Sequence, residues 1–401
     1  MREYYGSDRD LAEIEEPENE TVNQGVNDTA NEADRQAVNQ REHRAGSGAL
    51  SGQSLRDAAI DAQAHLHHAY LIGLQLMVSS REGATVVGDW MFRLFRRQHH
   101  EKFLSSFTKL GLRGLPHALA CARYHVLSNA IGGIAVEYME EGPTKAWVRF
   151  RYPRWMYAGP AICGVPVEAS RGFLRGWYAH NGVSLGNPRL RFVCVSEDMT
   201  GEFGFCGYFE ECEHDLAEDE RLHFAPGELP PPFDPRAQPI PPQEQWNDER
   251  LRKANRNYAV EYIRNGLIEL AAVIGAERTC ELGGLAARLV GMQCWRETAQ
   301  MVGTADGGAD EAARYLQAML GGLDDQVEID PGADALQVGL RHHGLRVLRG
   351  LQGEERELLL HCWGELWVGA VRAHRELLDA SWQARDGDTI QWVIRSRRLT
   401  Q

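Results

Sequence analysis

A cysteine, a histidine and a carboxylate in the order Cys163, His180, Glu197 hold the parts of a thiol-nucleophile site. Such a site needs a thiolate, a base beside it and a group that orients the base. Cys163 lies in "GPAICGVP", ahead of the helical-looking "VEASRGFLRGWYAHNG". A thiol there would feel the partial positive charge of a helix start, which favours the thiolate. His180 stands at the far end of the same segment and reaches Cys163 only if the loop folds back. A small buried thiol is the plain alternative.

"RYPRW" offers a second chemistry. Arg154 beside Trp155 and Tyr157 joins a planar guanidinium to aromatic surface, which suits a carboxylate or another flat anion. An arginine packed on a tryptophan at a hairpin rim would look the same.

"GEFGFCGYFEECEH", residues 201 to 214, carries two cysteines, four glutamates and a histidine. In a strand, side chains alternate faces, so Cys206, Tyr208 and Glu210 share one side and Phe203, Phe205 and Phe209 the other. The phenylalanines are the core candidates; Cys206 and Tyr208 are candidates for touching a substrate. Alternate residues of one strand are about 7 Å apart, too far for Cys206, Cys212 and His214 to converge on one ion. The histidine pairs at 67–68, 99–100 and 342–343 come without an HExxH, and no phosphate loop is present, because "GSGALSG" lacks a strand before it and Lys-Ser/Thr after it. No metal and no cofactor are therefore expected.

These residues must be positioned by a framework that the hydrophobic pattern describes. Helical spacing runs from Leu55 to Leu110 and through "ARYHVLSNAIGG". "IAVEYMEEGPTKAWVRFRYP" alternates about Glu-Gly-Pro and predicts a hairpin. A helix closing at Gly182 follows, then a second hairpin turning at Asp198 to Gly201. The second half repeats the order, with helices from 255 to 303 and from 310 to 323, an extended stretch near 334, a helix over 353–379 and a hairpin turning at Asp386-Gly387-Asp388. Aligning Tyr70 with Tyr262 also brings Gly83-Ala84 onto Gly275-Ala276, and "YAH" at 178–180 parallels "RAH" at 372–374. The fold class expected is α+β, two similar lobes from an internal duplication, each with helices packed on an antiparallel sheet.

Four segments result: an acidic tail over 1–55 that cannot offset its ordering entropy by burial, a first lobe over 56–215, a Pro-rich linker over 216–250, and a second lobe over 251–401. The formal charge is -14, about half of the excess arising before residue 60. That excludes nucleic acid as an unassisted partner. The start is no signal peptide and no run is long enough to span a membrane. Eight scattered cysteines fit reduced thiols in a cytoplasmic protein.

The element order, with "EDMTGEFGFCGYF", resembles four-vinyl-reductase-type domains and their relatives in the ligand-binding fold of NO signalling and Golgi transport. Glu197, Gly201-Glu202, Cys206 and Tyr208 stand where that pattern has a Glu, a glycine-acid turn, and a Cys before an aromatic. The likeness covers about 115–212 and more loosely 335–398, where "RDGDTIQWVIRSR" has no cysteine. It implies a small-molecule pocket between helices and sheet; related hydrolases of the 2-aminothiazoline-carboxylate type share the general plan. The function expected is an enzyme acting on a small organic molecule by hydrolysis or elimination, with a non-catalytic sensor or carrier as the alternative and homo-oligomerisation left open. The first lobe is expected to carry the site and the second to be structural.

Overall fold

The computed structural model describes residues 52–201, 203–240, 247–330, 337–385 and 388–397. The expected tail, up to residue 51, and part of the turn at 386–387 lie outside the described residues. Residues 52–401 form one compact unit.

Each lobe begins with a long helical pair. In the first, α1 (Gly52–Glu82) and α2 (Ala84–Lys109) break at Gly83; in the second, α6 (Asp248–Ile274) and α7 (Ala276–Val302) break at Gly275. Both glycines have positive φ, +89° and +85°, which side chains with a Cβ rarely adopt. The turn between the helices therefore depends on the same residue in both copies.

A third helix follows, α3 (His117–Ile131) or α8 (Ala309–Gly321), and then a hairpin, β1 (Val136–Gly142) with β2 (Lys145–Phe150) or β6 (Gln326–Asp330) with β7 (Gln337–His343). A short 3-10 turn leads to α4 (Val167–Gly176) or α9 (Gly353–Arg372). The last hairpin is β3 (Leu190–Ser196) with β4 (Cys206–Glu211) or β8 (Leu378–Arg385) with β9 (Thr389–Ser396). With a short further strand, β5 (Leu222–Phe224), the sheets read β1-β2-β4-β3-β5 and β6-β7-β9-β8. The shared order is what a duplication would produce, and the fold is α+β with two lobes.

Helix crossings in both lobes depend on bare backbone. A Cβ added at Gly172 would lie 2.2 Å from Gly88 O, and one at Gly369 would lie 2.0 Å from Arg288 O. Only glycine permits so close an approach of α4 to α2 and of α9 to α7. The lobes also interlock: Tyr70 Oη donates to Gly283 O at 2.9 Å, and Trp90 Nε1 donates to Gly266 O at 2.7 Å.

Five local expectations change. The helix expected over 353–379 ends at Arg372, and Leu378 and Asp379 already belong to β8. The helix expected to close at Gly182 ends at Gly176; Gly182 lies in a further short turn, α5 (Asn181–Ser184), where a Cβ would meet Asn187 O at 2.7 Å. The second hairpin has a longer connection, because β3 stops at Ser196 and β4 starts at Cys206. Phe203 falls in that connection and is 77% exposed, whereas Phe205 and Phe209 are fully buried. The strand β6 was not anticipated.

The Pro-rich segment is more than a spacer. It forms β5 (Leu222–Phe224), parallel to β3, and Gln238 uses its side chain to bond both the amide and the carbonyl of Tyr138 on the β1 edge, at 2.8 and 2.9 Å. Unpaired strand edges invite association; here one connection engages both edges of the first sheet. No helix among the described residues is long and apolar enough to cross a membrane.

Candidate ligand cavity

Five helices and a hairpin end converge on a cavity of about 190 Å³ in the first lobe. An engineered apolar cavity of about 150 Å³ holds benzene, so the space suits a molecule of one ring with a substituent. α3 supplies Tyr124 and His125, the 3-10 turn after β2 supplies Trp155, α4 supplies Phe173, and α6 of the second lobe closes the cavity with Tyr258 and Tyr262. Trp155 is layered between His68, at 4.6 Å between ring centres, and Tyr262, at 4.8 Å.

Arg154 lies against this aromatic shell and is 3% exposed. Its Nε and Nη2 donate to the two oxygens of Asp198 at 3.0 and 2.9 Å, and Nη2 also donates to Ser170 Oγ at 2.6 Å. The guanidinium lies over the rings of Phe205, Phe173 and Tyr157, 4.4 to 5.3 Å from their centres. Burial works to lower its pKa, but Asp198 outweighs this and raises it, so the group stays charged. Burial likewise opposes the Asp198 carboxylate, and Arg154 overcomes it to hold that pKa below the ordinary value. Nη1 has no partner, and neither has Trp177 Nε1, which belongs to another residue of the cavity lining. Such orphaned donors cost about 1–3 kcal/mol each, a penalty that a ligand oxygen would relieve.

The histidines here are neutral. Burial lowers His68 to about 4 and takes His125 well below its ordinary value. His99 Nε2 donates to Asn181 Oδ1 at 3.1 Å, and Asn181 Nδ2 donates to His125 Nε2, also at 3.1 Å. The His125 ring stacks on Tyr178 at 3.9 Å. This arrangement fixes ring orientation and leaves no cationic imidazole at neutral pH.

The expected site residues scatter around this centre. Arg154 and Trp155 line the cavity; Tyr157 is buried beneath the guanidinium. Cys163 ends the turn Gly159–Cys163 with its thiol exposed, outside the lining. His180 shares a 3.0 Å Nε2–Nε2 hydrogen bond with His100 and borders a different cleft with Arg96 and Arg221. Burial, then Arg96, lowers its pKa to about 4. Both Glu197 oxygens accept from Arg171, at 3.2 and 2.8 Å. The structure thus gives these three residues separate surroundings and does not assemble them.

Cys206 and Tyr208 are buried on the opposite face of the sheet, in a small cluster with Met139, Trp147, Val193 and Val195. Ala225, from the segment after β5, packs over that cluster.

Sequence reasoning passed over Asp198, Ser170, His125, Tyr258 and Tyr262. Asp198 could have been found, since a buried arginine requires a carboxylate and "SED" offers one beside the glutamate that was chosen. The α6 tyrosines had no local signal. Among the described residues no group of three or more His, Cys, Asp or Glu could hold a metal ion. Comparison with known protein families, curated proteins and solved structures finds no match for this chain.

Proposed function

We propose that the first lobe binds a small, flat organic molecule with a carboxyl or carbonyl oxygen, as a sensor or carrier without chemistry of its own. The observation that carries this reading is the buried Arg154, charge-balanced by Asp198 yet left with an unpaired nitrogen against an aromatic cavity. The usual binding site is apolar with a few polar groups that fix orientation. The resemblance to four-vinyl-reductase-type domains belongs to the same proposal, as does a cytoplasmic setting in which the eight cysteines remain reduced.

The hydrolase or lyase reading has less support. A general base works best with a pKa near the working pH, and His68 at about 4 is far below it. The thiol that chemistry would use, Cys163, is not in the lining.

The test is a titration of the full chain with monocyclic aromatic carboxylates and their neutral alcohols, followed by tryptophan fluorescence. The expected result is saturable quenching by at least one acid, with the matching alcohol weaker, and loss of quenching in Ser128→Trp, which adds an indole to the cavity wall. Equal response from Ser128→Trp, or no saturable signal and no shift of the melting temperature with any acid, would overturn the proposal.

A further inference from the structure

The second lobe carries a pair of thiols that the cavity does not use. Cys362, on α9, is fully buried and points its sulfur at the first turns of α7: Sγ lies 3.7 Å from Thr279 O and 2.9 Å from where a Cβ on Gly283 would stand. Cys280 is the next residue after Thr279 and one helical step from Gly283, so it occupies the same turn. The two thiols are near enough for each to shift the other's ionisation. This closeness is a product of the backbone, because Gly291 and Gly369 let α7 and α9 approach until an added Cβ would be 2.0 Å from a facing carbonyl in either direction.

The geometry points to Cys280 and Cys362 as an oxidisable dithiol, in which Cys280 attacks hydrogen peroxide and Cys362 then closes the product to a disulfide. Cys280 is the partly exposed member and Cys362 the enclosed one, which assigns the order. In the first step the Cys280 thiolate forms an S–O bond as the peroxide O–O bond breaks; sulfur loses two electrons, and hydroxide leaves and takes up a proton as water. In the second, the Cys362 sulfur, giving up its proton, attacks that sulfur; the S–S bond forms, the S–O bond breaks, and water departs.

The electrostatics agree with this order. The neighbouring Cys362 thiol lowers the Cys280 pKa to about 7, while the Cys280 thiol and burial raise that of Cys362. An attacking thiol with a pKa near the ambient pH is the effective kind. None of the residues involved lines the first-lobe cavity, so this inference stands or falls apart from the ligand proposal.

The experiment exposes the full chain to hydrogen peroxide at neutral pH, quenches it with N-ethylmaleimide and maps the cysteines by non-reducing peptide mass spectrometry. The expected product is an intramolecular Cys280–Cys362 link, reversed by dithiothreitol, formed roughly tenfold faster than free cysteine is oxidised. Cys362→Ser should leave Cys280 as a sulfenic acid that dimedone traps, and Cys280→Ser, a change at a partly exposed position, should leave Cys362 unmodified in a chain with wild-type circular dichroism. Both thiols remaining alkylatable on unfolding after Cys163 has been oxidised, or a link joining any other pair, would overturn the inference.

Discussion

The two lobes have the same strand order but different polar interiors. After β2 the buried residue ahead of the 3-10 turn Trp155–Tyr157 is Arg154; after β7 the buried residue ahead of the corresponding turn, Arg346–Leu348, is Leu345. The second lobe has a buried polar group elsewhere, and it is closed. His342 Nε2 donates to Asp325 at 3.0 Å, the Arg346 amide donates to the other Asp325 oxygen at 3.0 Å, and Trp392 Nε1 donates to His342 Nδ1 at 3.4 Å. In the first lobe Arg154 Nη1 remains open. One architecture thus supports a saturated network in one copy and an unfinished one in the other, and the unfinished one borders the cavity.

The largest effect should come from making the first lobe resemble the second. Arg154→Leu alone leaves Asp198 buried without its counter-charge, a loss of about 3–5 kcal/mol by the usual cost of breaking a buried pair. Arg154→Leu with Asp198→Leu removes both charges and should recover most of that stability, because apolar replacement of a buried pair is often neutral. Urea unfolding of the three proteins checks this. A double variant no more stable than the single one would show that the pair holds the fold and does not merely occupy a tolerant site.

Acid should separate the lobes next. His68 at about 4, His99 at about 3 and His125, lower than its ordinary value, all owe the shift first to burial. A depressed pKa in the folded state means that stability is complete above the unfolded value of about 6.5 and is lost as the pH falls through the folded ones. The window therefore opens at about pH 6.5 and runs through about 4 for His68 and about 3 for His99, and all three groups belong to α1, α2 and α3. In the second lobe His374 is also lowered by burial, but it lies beyond the end of α9. Hydrogen exchange between pH 7 and 5, corrected for the intrinsic rate, should show α3 losing protection before α9; the reverse order would remove the histidines from the account.

The contrast between lobes also marks what the sequence could convey. Three of the four hairpins and the helical stretches were legible because each is written in local periodicity; the sequence aligned Gly83 with Gly275 without showing that the helices break there. "RYPRW" announced Arg154 and Trp155 for the same reason. What failed was distance: Cys163, His180 and Glu197 are near one another along the chain, and chain proximity was mistaken for convergence. The cavity takes Tyr258 and Tyr262 from a helix about a hundred residues further on, and no pattern within the first half encodes that docking. The choice of Glu197 over Asp198 shows the limit at single-residue scale, since neighbouring side chains in a turn leave in different directions and only the fold decides which meets the arginine.

The smallest expected effect concerns Cys163, and it sharpens the comparison because the second lobe's thiols predict the opposite. Cys163 is exposed and outside the cavity lining, so Cys163→Ala should change stability by no more than about 0.5 kcal/mol and leave the quenching by aromatic acids unaltered. Alkylation of the native chain should reach Cys163 and Cys280 and spare Cys121, Cys194, Cys206 and Cys362, which are buried. Exposure alone brings Cys163 into that pair, whereas Cys280 enters it through the lowering of its pKa by the neighbouring Cys362 thiol. The two should therefore diverge in Cys362→Ser, where Cys280 slows and Cys163 does not. Loss of ligand quenching in Cys163→Ala would instead connect that thiol to the cavity and restore the nucleophile to the first lobe.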